Sequence, residues 1–344
     1  MTQIDVGVLG ATGMVGQQFI ALLSRHPWFK VVWLGASERS AGRKYRDAAA
    51  WRLAVALPEE IANLEVQQAA PAASAPQLVF SGLDSSVAGE IEGAFARAGH
   101  TIVSNSRNYR MEADVPLMIP EVNGEHLQLL KTQGSRGWKG RIVTNPNCST
   151  VVLSMALAPL RQFGLSRVTI TTLQAISGAG YPGVASWDIL GNVIPFIDGE
   201  EQKIETETRK ILGCFANGAV EPHPVVISAQ TTRVPVQNGH TESISVGFEH
   251  KPSEDEVINA WGSFRALDGL PSAPTPPVVY VRERNRPQPA LDADRGDGMT
   301  VTIGRLRPCP ILDYKFIALG HNTIRGAAGV AILNAELMHR EGLL

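Results

Sequence analysis

Cysteine is scarce in this chain, and so is any excess of charge. Cys148, Cys214 and Cys309 are the only three in 344 residues. They are too few and too scattered for a disulfide framework or a zinc site, so no metal is expected. Lys and Arg number 31 against 33 Asp and Glu, a net charge of −2. That balance excludes the clustered basic surface that nucleic acid or an anionic membrane requires, yet leaves single basic side chains to hold a small anionic substrate. No run of about 18 apolar residues is present, so no membrane span is expected. The opening MTQIDVGVLGATG lacks a basic segment followed by an apolar one; no secretory leader is expected, and the location reads as cytoplasmic. What is present is ordinary for a globular protein, with 44% hydrophobic and 19% charged residues. A single core stops growing near roughly 250–300 residues, so two domains are expected.

The first forty residues alternate in texture. Ile4–Leu9 is an apolar run, Gly10–Gly16 is glycine-rich, Gln17–Ser24 has helical spacing, and Val31–Gly35 is a second apolar run. Strand, turn, helix and strand in that order make the βαβ unit of a parallel sheet. Further strands are expected at Leu78–Ser81 and Thr101–Ser104, with a helix over Val87–Ala98 between them and a long helix over Thr150–Phe163. Beyond that helix, Ser166–Ala175, Val225–Val236, Thr241–Phe248 and Met299–Arg307 alternate with period two. Such alternation belongs to antiparallel strands with one wet face. Helices are expected around Gly199–Leu212 and Glu254–Phe264, and Ala327–Glu341 reads as a terminal helix that returns to the first domain. Only Pro271–Pro277 and Ala69–Ala75 are compositionally biased, and no repeat is visible.

Gly10-Ala11-Thr12-Gly13-Met14-Val15-Gly16 follows a strand and opens a helix. Glycines there permit a tight turn and let backbone N–H groups approach a pyrophosphate at the positive helix end, so a dinucleotide is expected. The end of the second strand selects between dinucleotides. NAD sites place an acid there for the ribose hydroxyls, whereas this chain has Ser37, Arg39 and Ser40, then Arg43 and Lys44. Small hydroxyls beside cations suit a 2′-phosphate and favour NADP. Glu38 leaves the ribose alternative open, and Arg43 with Lys44 also read as a solvated loop.

Asn145-Pro146-Asn147-Cys148-Ser149-Thr150 precedes an apolar helix. Pro146 biases Asn145 toward extended backbone, and Ser149 or Thr150 is suited to cap. Cys148 is therefore expected at a helix N-terminus, where the dipole favours thiolate and free N–H groups can stabilise an oxyanion. Cys214 and Cys309 read as inert. A thiolate beside a nicotinamide points to redox acyl transfer through a thioester and a thiohemiacetal, assisted by a histidine as acid and base.

Seven motifs in order then carry a resemblance: GATGMVG at Gly10–Gly16, SERSAG at Ser37–Gly42, NPNCST at Asn145–Thr150, QAISGAGYPG at Gln174–Gly183, EEQKIETETRKILG at Glu200–Gly213, TRVPVQNGHTE at Thr232–Glu242 and HNTIRGAAG at His321–Gly329. Over nearly its whole length the chain resembles the aspartate-β-semialdehyde dehydrogenase family, in the branch found in archaea, fungi and some bacteria. The resemblance implies an α/β fold: a Rossmann-type parallel-sheet NADP-binding domain over 1–147 and 322–344, and an α+β catalytic and dimerisation domain with a mostly antiparallel sheet over 148–321. It implies reversible NADPH-dependent conversion of L-4-aspartyl phosphate to L-aspartate 4-semialdehyde, on the route to lysine, methionine and threonine. A homodimer or homotetramer is implied as well.

Residue by residue, Cys148 matches the nucleophile and His240 the acid and base. Gln174 matches the residue that orients the substrate, Arg233 the grip on its α-carboxylate and Glu200 the partner of its ammonium. Arg110 and Lys203 match phosphate ligands. Gly10, Thr12, Gly13, Met14, Val15, Ser37, Arg39, Ser40, Ser177, Gly178 and Asn322 match cofactor contacts. These roles agree with the chemistry: arginine grips a carboxylate bidentately, lysine offers phosphate a point charge, and a carboxylate suits an ammonium. Asn238-Gly239 reads as a hairpin turn that brings Arg233 and His240 to one cleft. Glu200 and Lys203 share a helix face, and a plain surface ion pair is the alternative there. A relative that reduces an acyl-CoA, such as malonyl-CoA reductase, is the rival enzyme; Glu200 speaks against it, because malonyl carries no ammonium.

Overall fold

The computed structural model describes residues 3–344; residues 1 and 2, the start of the expected 1–147 segment, lie outside it. Ile4–Leu9 forms strand β1, with Val6, Val8 and Leu9 fully buried. Burial on both faces is what a parallel sheet covered by helices demands. Helix α1 (Met14–Leu23) follows the glycine turn, then β2 (Phe29–Ala36), β3 (Val66–Gln68), β4 (Leu78–Ser81), helix α2 (Ser85–Ala98), β5 (Thr101–Ser104) and β6 (Arg141–Thr144). Their order is β3-β2-β1-β4-β5-β6, with every pairing parallel. The order turns back between β1 and β4, the switch point at which such sheets open a crevice beyond their strand ends. Helix α2 starts before the expected Val87 because the Asp84 carboxylate accepts from the Ser86 N–H and caps it.

Helix α3 (Cys148–Leu157) runs on as a tighter turn over Ala158–Phe163 and delivers the chain to a second sheet. There follow β7 (Leu165–Gln174), α4 (Glu200–Ile211), the short pair β8 (Cys214–Ala216) and β9 (Ala219–Glu221), β10 (Val226–Arg233), β11 (His240–Phe248), α5 (Glu254–Gly262), β12 (Val278–Val281), β13 (Val301–Pro308) and β14 (Tyr314–Gly320). The sheet order is β10-β7-β11-β14-β13-β12. Three of its pairings are antiparallel, but β10 lies parallel to β7 and β12 parallel to β13. The sheet is therefore mixed. The reason is that β10 is reached from β7 through α4, and a strand–helix–strand return is parallel.

That order also corrects the hairpin expected at Asn238-Gly239. Strand β7 sits between β10 and β11, so the two do not pair. The turn, with Gly239 at φ +95, instead carries the chain past the end of β7. Helix α3 lies on the inner face of this sheet, where Val151, Val152, Ile170, Ile244 and Phe316 share one core. The last helix, α6 (Gly329–Arg340), packs Ala331, Ile332, Leu333 and Met338 with Val6, Phe19 and Phe80 of the first sheet. Among the described residues, no helix is long and apolar enough to cross a membrane.

Candidate active site

A cleft of about 850 Å³ opens where the C-terminal ends of the first sheet meet the second. One wall is the glycine turn. Gly10 has φ +69, and a Cβ on Gly16 would stand 2.2 Å from the Gly10 carbonyl oxygen, so the turn closes only with glycine. Helix α1 begins behind Gly13 with no side-chain cap. Its first N–H groups are thus left for an external acceptor, and Gly10, Thr12, Gly13, Met14 and Val15 all line the cleft. An uncapped helix start in a glycine cradle fits the pyrophosphate of a dinucleotide. Ser37 lines the cleft at the end of β2. Arg39 is exposed beyond it, and Ser40 is buried, its N–H donating to the Ser37 carbonyl at 2.9 Å. Neither belongs to the lining. Glu38 accepts from Gln68 Nε2 at 3.3 Å, and Arg43 reaches the Asp47 carbonyl of its own loop.

Cys148 is the first residue of α3, on the cleft floor. The cap is Asn147 rather than Ser149 or Thr150: its Oδ1 accepts from the N–H groups of both, at 3.0 and 3.2 Å. The helix starts two residues before the expected Thr150, so the capping position falls on the residue ahead of the cysteine. His240, the first residue of β11, places Nε2 3.1 Å from the Cys148 Sγ. Its Nδ1 accepts from the Ala175 N–H at 3.1 Å, so a neutral ring carries its proton on Nε2, facing the sulfur. Burial pushes the Cys148 thiol up to about 12, and the nearby Glu200 charge adds to this, while Arg233 and Arg110 oppose it. Burial, with the Arg233 charge, pulls His240 down to about 3. At rest the pair is a neutral thiol and a neutral imidazole, so the helix end does not by itself outweigh enclosure as the sequence suggested.

Glu200 opens α4 and is 5% exposed. Its Oε1 accepts from Asn147 Nδ2 at 2.6 Å and Gln174 Nε2 at 3.3 Å, and its Oε2 from Lys203 Nζ at 3.1 Å. The ion pair with Lys203 exists, but it faces the site and not open solvent. Four and seven residues beyond Lys203, along the same helix face, lie two groups that sequence reasoning did not single out. Glu207 accepts from Arg110 Nη1 at 3.0 Å with one oxygen and from the Asn147 N–H at 2.7 Å with the other. Lys210 donates to the carbonyls of Arg110, Glu112 and Val115 at 2.7–2.9 Å, and burial lowers it to about 8. The 3-4-3 spacing of alternating charge from Glu200 to Lys210 was the available signal.

Arg233, the last residue of β10, is buried and donates through Nη1 to the Ala175 carbonyl at 2.8 Å. Arg110 donates through Nη2 to Asn105 O at 2.6 Å, while its buried Nε has no protein partner. Gly178 allows its loop to close on this group, since a Cβ there would stand 3.0 Å from both Arg233 Nη1 and His240 Cε1. Asn322 ties the loops together, accepting from the Gly239 N–H at 2.9 Å and donating to Ser177 Oγ at 2.8 Å. Across the cleft mouth, Arg52 donates to the Tyr181 hydroxyl at 2.9 Å and lies over its ring. Apart from Arg39 and Ser40, the residues singled out in the sequence converge here.

A dinucleotide crevice whose floor holds a thiol against an imidazole defines a class, the dehydrogenases that carry an acyl group on cysteine. Comparison with known families agrees: residues 5–130 match the semialdehyde dehydrogenase NAD binding domain, and residues 157–325 the semialdehyde dehydrogenase dimerisation domain. The chain is 49% identical to the aspartate-semialdehyde dehydrogenase of Archaeoglobus fulgidus, with 99% of each covered. It superposes on the aspartate-semialdehyde dehydrogenase of Candida albicans solved with NADP at a TM-score of 0.91, with 44% identity and 100% of each chain covered. Aspartate-semialdehyde dehydrogenase II of Vibrio cholerae, solved with ASA, superposes at 0.80 with 26% identity and 99% of each covered. The chain belongs to the aspartate-semialdehyde dehydrogenase family.

Proposed function

We propose that this protein catalyses the reversible, NADPH-dependent reductive dephosphorylation of L-4-aspartyl phosphate to L-aspartate 4-semialdehyde. The observation that carries the reading is the 3.1 Å contact between Cys148 Sγ and His240 Nε2 on the floor of the dinucleotide cleft. Cys148 attacks the acyl carbon as the carbon–oxygen bond to phosphate breaks; the thiol proton leaves with that phosphate, while His240 assists by donating its Nε2–H to the sulfur. An imidazolium would turn an Nδ1–H against the Ala175 N–H, so the ring stays neutral through this step. Arg233 grips the substrate carboxylate, Gln174 orients the chain, and Glu200 receives the ammonium in place of Lys203. Arg110 and Lys203, released from their carboxylate partners, hold phosphate.

The turn from Gly10 to Val15, with Ser37, Ser177, Gly178 and Asn322, holds NADP. When bound there, the dinucleotide supplies the hydride that reduces the thioester. Residues 1–147 and 322–344 form the cofactor domain, and residues 148–321 the catalytic and dimerisation domain. Trp187, Leu190, Val193 and Phe196 are more than half exposed, an apolar patch suited to burial against a second copy. A cytoplasmic homodimer or homotetramer is part of the proposal.

The test is phosphate-dependent reduction of NADP by the pure protein with L-aspartate 4-semialdehyde. Turnover that needs phosphate is expected. No turnover there, with CoA-releasing oxidation of NADPH on malonyl-CoA instead, would replace this reading by an acyl-CoA reductase.

A further inference from the structure

The face of the second sheet that meets α3 carries two polar rows, one above the other. The upper row is the site itself: Arg233 in register with Gln174, and His240 in register with Gly320. Two residues deeper, Thr231, Thr172, Glu242 and Ala318 stand side by side on β10, β7, β11 and β14. All four are fully buried. The row below that is apolar, with Ala229, Ile170, Ile244 and Phe316 in register. At such depth an aliphatic residue is the ordinary occupant of the Glu242 position.

Neither carboxyl oxygen of Glu242 has a protein partner. A lone carboxylate in that setting is among the most costly groups to bury, so the side chain stands as the neutral acid. Burial alone raises its pKa well above the ordinary value, and no cation opposes the shift. A neutral acid both donates and accepts. Directly opposite it, Thr172 Oγ1 accepts from Gln174 Nε2 at 3.3 Å, which leaves the threonine hydroxyl proton in need of an acceptor. Opposed residues on antiparallel strands have Cβ atoms about 4.5–5.5 Å apart, within the span of one bridging water. The same Gln174 nitrogen reaches Glu200 Oε1 at 3.3 Å. Hydrogen bonds thus lead from Thr172 through Gln174 to the cleft, and Glu242 stands opposite Thr172 at the buried end of that chain.

We propose that Glu242 is a positioning residue, which acts through Thr172 to hold the Gln174 amide in the orientation that places the substrate. The inference rests on the proposed reaction. Its test is a double-mutant cycle of Glu242→Leu and Thr172→Val, assayed with L-aspartate 4-semialdehyde, phosphate and NADP. Each single variant is expected to lower kcat about 10-fold with the KM for NADP unmoved, and the double variant to fall no further than the worse single. Glu242→Gln, which keeps one donor and one acceptor, recovers most of the loss. Glu242→Leu also keeps or raises Tm, because it removes an unpaired buried acid; a purely structural role would lower Tm and kcat together. Wild-type kcat in folded Glu242→Leu, or losses that multiply in the double, would overturn the proposal. Should Glu242→Leu not fold, Thr172→Val alone decides by its kcat. A wild-type protein inactive on the semialdehyde sinks the reaction instead. Infrared difference spectra then still decide, since the carbonyl stretch of a protonated carboxyl must be present in wild type and absent in Glu242→Gln.

Discussion

Two helices begin on the cleft, and their N-termini are finished in opposite ways. Helix α1 starts behind Gly13, which has no side chain to occupy its first N–H groups. Helix α3 starts behind Asn147, whose side chain takes two of those groups and whose own N–H is taken by Glu207. The open end keeps its partial positive charge for an anion that arrives from outside. The closed end has no such vacancy; its satisfied backbone fixes where the Cys148 sulfur points. Binding and positioning thus use the same backbone geometry, and one side chain decides which of the two results.

The largest blow to this contrast is Cys148→Ala, which removes what the closed end positions. Turnover in the phosphate-dependent assay should fall by about 10⁴-fold or more, with NADP binding by fluorescence titration unchanged. Turnover near wild type would end the thioester account. Asn147→Ala opens the closed end. Loss of the cap should cost about 1–2 kcal/mol in urea unfolding, and kcat should drop about 10–100-fold, because Glu200 loses a partner at the same time. Gly13→Ala fills the open end. A Cβ there stands 3.4 Å from the Gly10 oxygen, an ordinary contact, so stability should move by less than about 0.5 kcal/mol while the KM for NADP rises about 10-fold. An unchanged KM would mean that the turn serves packing alone.

The last effect is one of pH. His240 is held near 3 in the folded protein, against about 6.5 unfolded. Above pH 6.5 the ring is neutral in both states. As pH falls from about 6.5 toward 3, only the unfolded chain gains the proton, and stability drops by up to about 1.4 kcal/mol per pH unit. Urea unfolding at pH 6 and pH 5 should show that slope reduced in His240→Asn; an equal slope would place the acid sensitivity elsewhere.

Much of this was legible because it is local. The βαβ start, the glycine turn and a helix beginning near Cys148 each follow from a few adjacent residues. The identity of the cap was missed, since Asn147, Ser149 and Thr150 are all competent and only the first helical residue decides among them. The Asn238-Gly239 hairpin failed for a non-local reason: β7, from more than sixty residues earlier, occupies the place beside β11. Cys148 read as a thiolate because a sequence displays the helix end but not the enclosure that raises the thiol. Glu207 and Lys210 stayed hidden because a charged helix normally turns such residues to solvent, and here its charged face turns inward.

That inward face restricts which changes in chain length the protein can accept. Each residue turns a helix by about 100°, so one insertion between Glu200 and Lys210 would rotate everything beyond it away from Arg110 and its loop. A deletion would do the same in the other direction. By contrast, Asn217 and Gly218, joining β8 to β9 with φ of 51 and 82, form an exposed turn where added residues disturb nothing in the cleft. Substitutions along α4 act one at a time, but a shift in its length disconnects Arg110, its loop and the Asn147 backbone from the helix together.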